Sequence, residues 1–178
     1  MKPTRAARSL WMLASVFASL LLVAGAWPLL GQIAKNSQQL TTEAWNAFNK
    51  ADFNGAIAKA EECIDKFKDD ADDKQQDLRR KNTPEPPTDE FSPTERDTIL
   101  KRGPLNDVAT SFFIIGQSEE ELYRRGKGKD PQHNERAKKA YKETCRYTYA
   151  RTWDPGGGGT KGFFWSPSKK ACRLAEKL

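Results

Sequence analysis

Asp52-Phe53-Asn54-Gly55-Ala56-Ile57-Ala58-Lys59-Ala60-Glu61-Glu62-Cys63-Ile64-Asp65-Lys66-Phe67 decides the fold class of this 178-residue chain. Phe53, Ala56, Ile57, Ala60, Cys63, Ile64 and Phe67 recur at spacings of three and four, which places them on one face of a helix. Just upstream, Leu40, Ala44, Ala47 and Phe48 keep the same period, and Lys50-Ala51-Asp52 separates the two runs. So short a connection predicts two antiparallel helices, and the alanines on their apolar faces allow a close approach. The expected class is all-α.

A second pair is expected downstream. Leu105 to Arg125 carries Val108, Phe112, Ile115, Glu119 and Leu122 on one face, with Phe113 and Ile114 widening the apolar surface. Such a helix belongs at the centre of a core; a sharper reading leaves Phe113 or Ile114 exposed for docking. Ala137 to Arg151 follows after Arg125-Gly-Lys-Gly-Lys-Asp-Pro131. Ser166-Pro167 then opens a last helix, with Ser166 as N-cap and Pro167 in the first turn. Its Ala171, Leu174, Ala175 and Leu178 fall on one face and suit it to cap the second pair.

These runs resemble the tetratricopeptide-repeat family. Asp52-Phe53-x-x-Ala56-Ile57-x-x-Ala60-x-x-Cys63-Ile64 is similar to the second half of one repeat. Phe112-x-x-Ile115-Gly116 and Ala137-x-x-x-Tyr141-x-x-Thr144 look like the two helices of another. The first copy lacks the family's aromatic and glycine in its first helix, the second has a stretched turn, and two repeats are fewer than a solenoid normally stacks. The resemblance implies a non-enzymatic protein-binding scaffold with a concave helical groove.

Between the copies, residues 68–103 read as a charged, proline-rich insertion. Asp69 to Lys81 is dominated by charge, and Pro84, Pro86 and Pro87 exclude regular helix. So few apolar residues bury little surface to offset ordering entropy. The expectation is a floppy insertion, with an arm that orders on a partner as the alternative. Ser92-Pro93-Thr94-Glu95 marks a helix restart.

The N-terminus speaks to compartment. Residues 1–9 carry Lys2, Arg5 and Arg8, and residues 10–31 contain an uncharged run from Leu10 to Leu30. As a helix that run rises roughly 30 Å, the hydrocarbon thickness of a bilayer. The basic leader then stays cytoplasmic and the C-terminal domain is periplasmic or extracytoplasmic. A cleavable signal peptide is the alternative, because Ala24-Gly25-Ala26 is a small-x-small site that would release a soluble periplasmic chain after Ala26. Residues 32–67 then form the first hairpin and residues 104–178 the second hairpin, a Gly-rich loop and the capping helix.

Composition limits the chemistry. The net charge of +6 conceals a split: residues 36–122 hold 11 basic and 19 acidic groups, a net of −8, while residues 123–178 hold 15 and 5, a net of +10. Such asymmetry orients a partner. Of Cys63, Cys145 and Cys172, none forms a CxxC pair; buried free thiols are the plainer reading, and Cys145 and Cys172 could pair in an oxidising compartment. His133 is the single histidine, with no second to share a metal and no base beside a nucleophile. Glu119, Glu120 and Glu121 are consecutive on a helix, so they diverge and read as a solvated face. Pro155-Gly-Gly-Gly-Gly-Thr-Lys161-Gly162 fails as a phosphate loop, which needs glycine before the lysine, Ser or Thr after it, and then a helix. No catalytic, metal or cofactor residue is therefore expected. Aromatics in the basic C-terminal third could stack on bases, but an exported domain rarely meets nucleic acid, and none is expected.

The expected contact residues are Trp45, which lies off the apolar stripe of its own helix, its neighbour Asn46, Phe113, and the aromatic set Trp153, Phe163, Phe164 and Trp165 around the glycine loop. Those rings either pack the loop down or form a pocket. The partner class is protein, in a membrane complex reached through residues 10–31. One alternative is an accessory subunit held by its membrane helix. Another is a soluble ligand-binding protein with a pocket under the loop.

Overall fold

A computed structural model of the chain describes residues 34–88, 91–156 and 162–178. The chain divides into two units, Met1–Ala34 and Lys35–Leu178, and the described residues belong almost wholly to the second. The apolar run of residues 10–31 lies outside them. No helix among the described residues is long and apolar enough to cross a membrane.

Six helices and one two-stranded sheet make up the second unit: α1 (Ser37–Asn49), α2 (Phe53–Arg80), α3 (Pro93–Leu100), α4 (Pro104–Arg125), α5 (Pro131–Cys145), β1 (Thr152–Asp154), β2 (Phe163–Trp165) and α6 (Pro167–Ala175). The fold is thus mostly helical rather than all-α. Local chemistry sets the starts. Asn36 and Gln39 form a capping box at α1, and Ser92 and Glu95 form another at α3. Asp52, Asp130 and Ser166 cap α2, α5 and α6 through side-chain oxygens. Proline stands in the first turn of α3, α4, α5 and α6, where its missing N–H would have had no helical partner.

α4 is the centre, packed against α1, α2, α5 and α6. Ala44, Ala56 and Ala60 are fully buried where α1 and α2 meet, beside Ile114 of α4. Gly116 serves α4 and α5 similarly: a Cβ there would lie 2.4 Å from the Tyr141 ring, so only hydrogen fits unless that ring moves. Phe113 and Ile114 are fully buried, so neither is the exposed docking residue of the sharper reading.

The segment expected to be a floppy insertion is largely ordered. α2 runs on to Arg80 and, at 28 residues, is longer than α4 at 22. Phe67, Ala71, Gln75 and Leu78 continue its buried stripe against Tyr147, Tyr149 and Ala150. Gln75 belongs to that stripe because its amide reaches the Thr148 hydroxyl at 3.2 Å, and Tyr147 donates to Asp72 at 2.7 Å. The prolines after α2 form a strap held by Arg151, a residue only 1% exposed. It donates from Nε to the Pro86 carbonyl at 2.9 Å and from Nη1 to the carbonyls of Thr148 and Ala150 at 3.0 and 2.7 Å.

Cys145 and Cys172 form a disulfide, with Cα atoms 5.4 Å apart, that ties α6 to α5. This replaces the free-thiol expectation for that pair. Cys63 remains free and buried, its thiol pushed up by burial.

Candidate binding cleft

Immediately after α5 the chain turns through buried Tyr147, Tyr149 and Ala150 and enters a short hairpin. β1 and β2 are antiparallel, with Thr152 opposite Trp165, Trp153 opposite Phe164 and Asp154 opposite Phe163. β-branched and aromatic residues suit a half-buried pleated ribbon, and Pro155 and Gly156 end the first strand. Two-residue periodicity separates the rings of β2: Phe164 is 1% exposed, while its neighbour Phe163 is 42% exposed. Thr152 anchors the ribbon on α4 through a 2.6 Å hydrogen bond with Thr110.

Around this hairpin the aromatic rings meet edge to face. Trp153 and Phe164 have centroids 4.9 Å apart, and Phe91 from the strap packs on both. Trp165 meets Phe113 at 5.0 Å. Gly162 lies flat against the Trp153 indole, where a Cβ would come within 2.3 Å of the ring. Arg96 stacks over Trp153 at 5.2 Å.

These rings line a cleft of about 630 Å³, walled by Trp45 and Asn49 of α1, the β1–β2 ribbon, and Lys169, Lys170 and Arg173 of α6. Phe113 and Phe164 border it too, but their burial makes them the floor beneath the surface rather than contact residues. The accessible rings are those of Trp45, Trp153 and Trp165, each half-buried, and of Phe163. Electrostatically the cleft is one-sided. Lys170 Nζ lies 5.2 Å from the Phe113 centroid and 5.4 Å from that of Trp165, and Lys169 approaches Glu85 at 3.8 Å. Asp154 of β1 is the one acid among the described lining residues and accepts from the Gly156 N–H at 2.8 Å.

Of the residues expected as contacts, Trp45, Phe113, Trp153, Phe163, Phe164 and Trp165 come together here. Asn46 does not: it is exposed on α1 away from the cleft, which its helix reaches through Trp45 and Asn49. Sequence reasoning missed Phe91, whose segment looked uncommitted, and the three cations of α6. Those cations were legible in principle, because residues 169 and 173 lie opposite the Ala171, Leu174, Ala175 and Leu178 stripe on a helical wheel.

The three consecutive glutamates diverge as expected but are not simply solvated. Glu119 is 5% exposed and binds His133 and Arg136, the latter at 2.8 Å. Glu120 accepts from the Tyr141 hydroxyl, and Glu121 pairs with Arg124. The Glu119 and Glu120 contacts tie α4 to α5, and the Glu121 pair stays within α4. Among the described residues no group of three or more His, Cys, Asp or Glu is placed to hold a metal ion.

The chain matches no known protein-family profile, no curated protein and no solved structure.

Proposed function

We propose that the protein is a non-enzymatic binding module that grips a partner protein in the hairpin cleft on the outer face of a membrane. The observation that carries this is the exposure of Phe163, the most exposed aromatic ring among the described residues, beside three half-buried indoles that line the same cleft. Rings left partly wet at the mouth of a preformed cleft are what protein interfaces use as anchors. The likeness to tetratricopeptide repeats points the same way, although the cleft is built on the hairpin and α6 rather than on a concave repeat groove.

Two features support the compartment. The basic leader followed by the apolar run 10–31 suits a helix with its N-terminus in the cytoplasm. The Cys145–Cys172 disulfide suits an oxidising space, where such bonds persist. On this reading the body stands outside the membrane as part of an assembly.

A photoreactive residue at position 163 of the full-length chain, irradiated in intact membranes, tests the proposal. A discrete protein adduct is expected there and not from a control position such as Glu61, exposed on α2. Adducts from both positions, or from neither, would count against the cleft. The cleft volume also falls within the roughly 300–1,000 Å³ of small-molecule sites, which favours a ligand-binding protein as second reading. Thermal shifts with a metabolite panel separate the two. Should a stoichiometric complex survive deletion of residues 36–178, the accessory-subunit alternative held by the membrane helix would replace both.

A further inference from the structure

The cleft pairs apolar rings with uncompensated positive charge, and that combination narrows what fits it. Lys169, Lys170 and Arg173 occupy one turn of α6 and face the cavity. Among the described residues Lys170 and Arg173 enter no ion pair, and Lys169 has only the 3.8 Å approach to Glu85. Some cations elsewhere are balanced locally, as Lys59 and Lys66 are by Glu62, Lys68 by Asp72 and Arg136 by Glu119, and others on open surface are not; those of α6 differ in lining a cleft of aromatic rings. Arg173 in the last turn suits the helix dipole, but the two lysines do not. No acidic residue stands in its first turn, and Lys169 and Lys170 put positive charge at the end where the helix dipole is already positive. Their placement beside the rings suits something negative that enters the cleft.

Geometry limits that negative group. From residue 169 to residue 173 the helix rises roughly 6 Å, enough to meet one or two carboxylates but not a track of phosphates. Asp154, also in the lining, would repel a continuous polyanion. A neutral glycan would use the rings and leave three cations desolvated without a partner, at a cost. A peptide carrying a ring and an acid satisfies both walls.

Building on the protein-binding reading, we propose that the cleft accepts an extended segment of an acidic partner protein. A large apolar or aromatic side chain of that segment enters among Trp45, Trp153, Phe163 and Trp165, and a neighbouring Asp or Glu meets Lys170 and Arg173. Rings supply affinity and the cations fix direction, so a segment of reversed order fits poorly.

The test uses the full-length protein in detergent micelles and, as probe, a phage-displayed library of random dodecapeptides. The expected result is a consensus of an aromatic or large aliphatic residue with an acid within a few positions. A synthetic consensus peptide should lose about tenfold in affinity or more when its acids become amides, and a similar amount on K170E/R173E. Both substituted side chains are exposed, and the variant is checked for an unchanged melting temperature. Enriched peptides that are apolar without acidic bias would overturn this inference and leave the protein-binding reading standing. Acidic peptides that bind K170E/R173E as well as wild type would place their site elsewhere and overturn it too. No enrichment above empty micelles would defeat both. Peptides matching the exposed acids Asp65, Asp69 and Asp73 of α2 would make a second copy of this chain the partner and refute a separate one. Displacement of the consensus peptide by oligothymidine at equal concentration would refute the peptide assignment.

Discussion

In the helical body Phe113, Tyr141 and Tyr147 are fully buried, whereas in the hairpin that follows Trp153 and Trp165 are half-buried and Phe163 is 42% exposed. The same residue type serves two ends. Body rings sit on Gly116 or stack within the core, as Phe112 does on Tyr147 at 6.1 Å, and removing them would leave cavities. Phe163 has no comparable burial to lose. The body should therefore answer mutation with lost stability, and the hairpin with lost binding.

The largest expected effect falls where the two regions join. Arg151→Ala strands the buried carbonyls of Pro86 and Ala150 and the part-buried one of Thr148, and should cost about 4 kcal/mol, read as an earlier thermal unfolding transition by circular dichroism. A change under about 1 kcal/mol would mean that the strap does not need its clamp.

Next is the tie between α6 and the body. Cys172→Ser opens a bridge that spans 27 residues and should cost about 3 kcal/mol. Reductant should lower the melting point of wild type and leave the variant unmoved. Because α6 carries the cleft cations, peptide affinity should fall along with stability, and this variant alone is expected to report on both regions.

Asp107 tests the body by itself. Burial pushes its carboxyl up to about 6 from an ordinary value near 3.8, although the Ser37 hydroxyl donates to it at 2.6 Å. The folded protein thus holds this proton more tightly than the unfolded chain. Stability from this group is complete below pH 4 and is lost as pH rises through 6, by roughly 3 kcal/mol. Asp107→Asn keeps an acceptor for Ser37, should raise the melting temperature at pH 7.5, and should flatten the profile between pH 4 and 6 without touching the cleft. An unchanged profile would show that water reaches the carboxylate.

The smallest effect on stability belongs to the hairpin tip. Phe163→Ser should change stability by less than about 0.5 kcal/mol, since the ring is substantially exposed, yet weaken partner binding strongly.

The body was the more legible half of the molecule for the same reason. Ala56, Ala60, Cys63 and Ile64 repeat at helical spacing, Gly116 marks a close crossing, and Ser92 and Ser166 announce their helices, all through contacts local in sequence. The remainder depends on distant partners. The second half of α2 looked unstructured because a stripe containing Gln75 and flanked by Asp72 reads as polar until Thr148 and Tyr147 supply their hydrogen bonds. The strap looked floppy because the cation that fixes it lies 65 residues downstream of Pro86. Strands of three residues are too short to establish a period. The cleft aromatics could be named in advance and the α6 cations could be placed on the polar face of their helix, but that the two meet in one cleft appears only when α6 folds back beside the hairpin.

The central claim is that the hairpin cleft, and not the membrane segment or another face, holds the partner. The most direct test is affinity purification of the full-length protein and its Phe163→Ser variant from detergent-solubilised membranes, after matching their melting temperatures. The account predicts a protein recovered with wild type and reduced about fivefold or more with the variant, the consequence of losing one interfacial anchor. Equal recovery of the same proteins by both chains would contradict it.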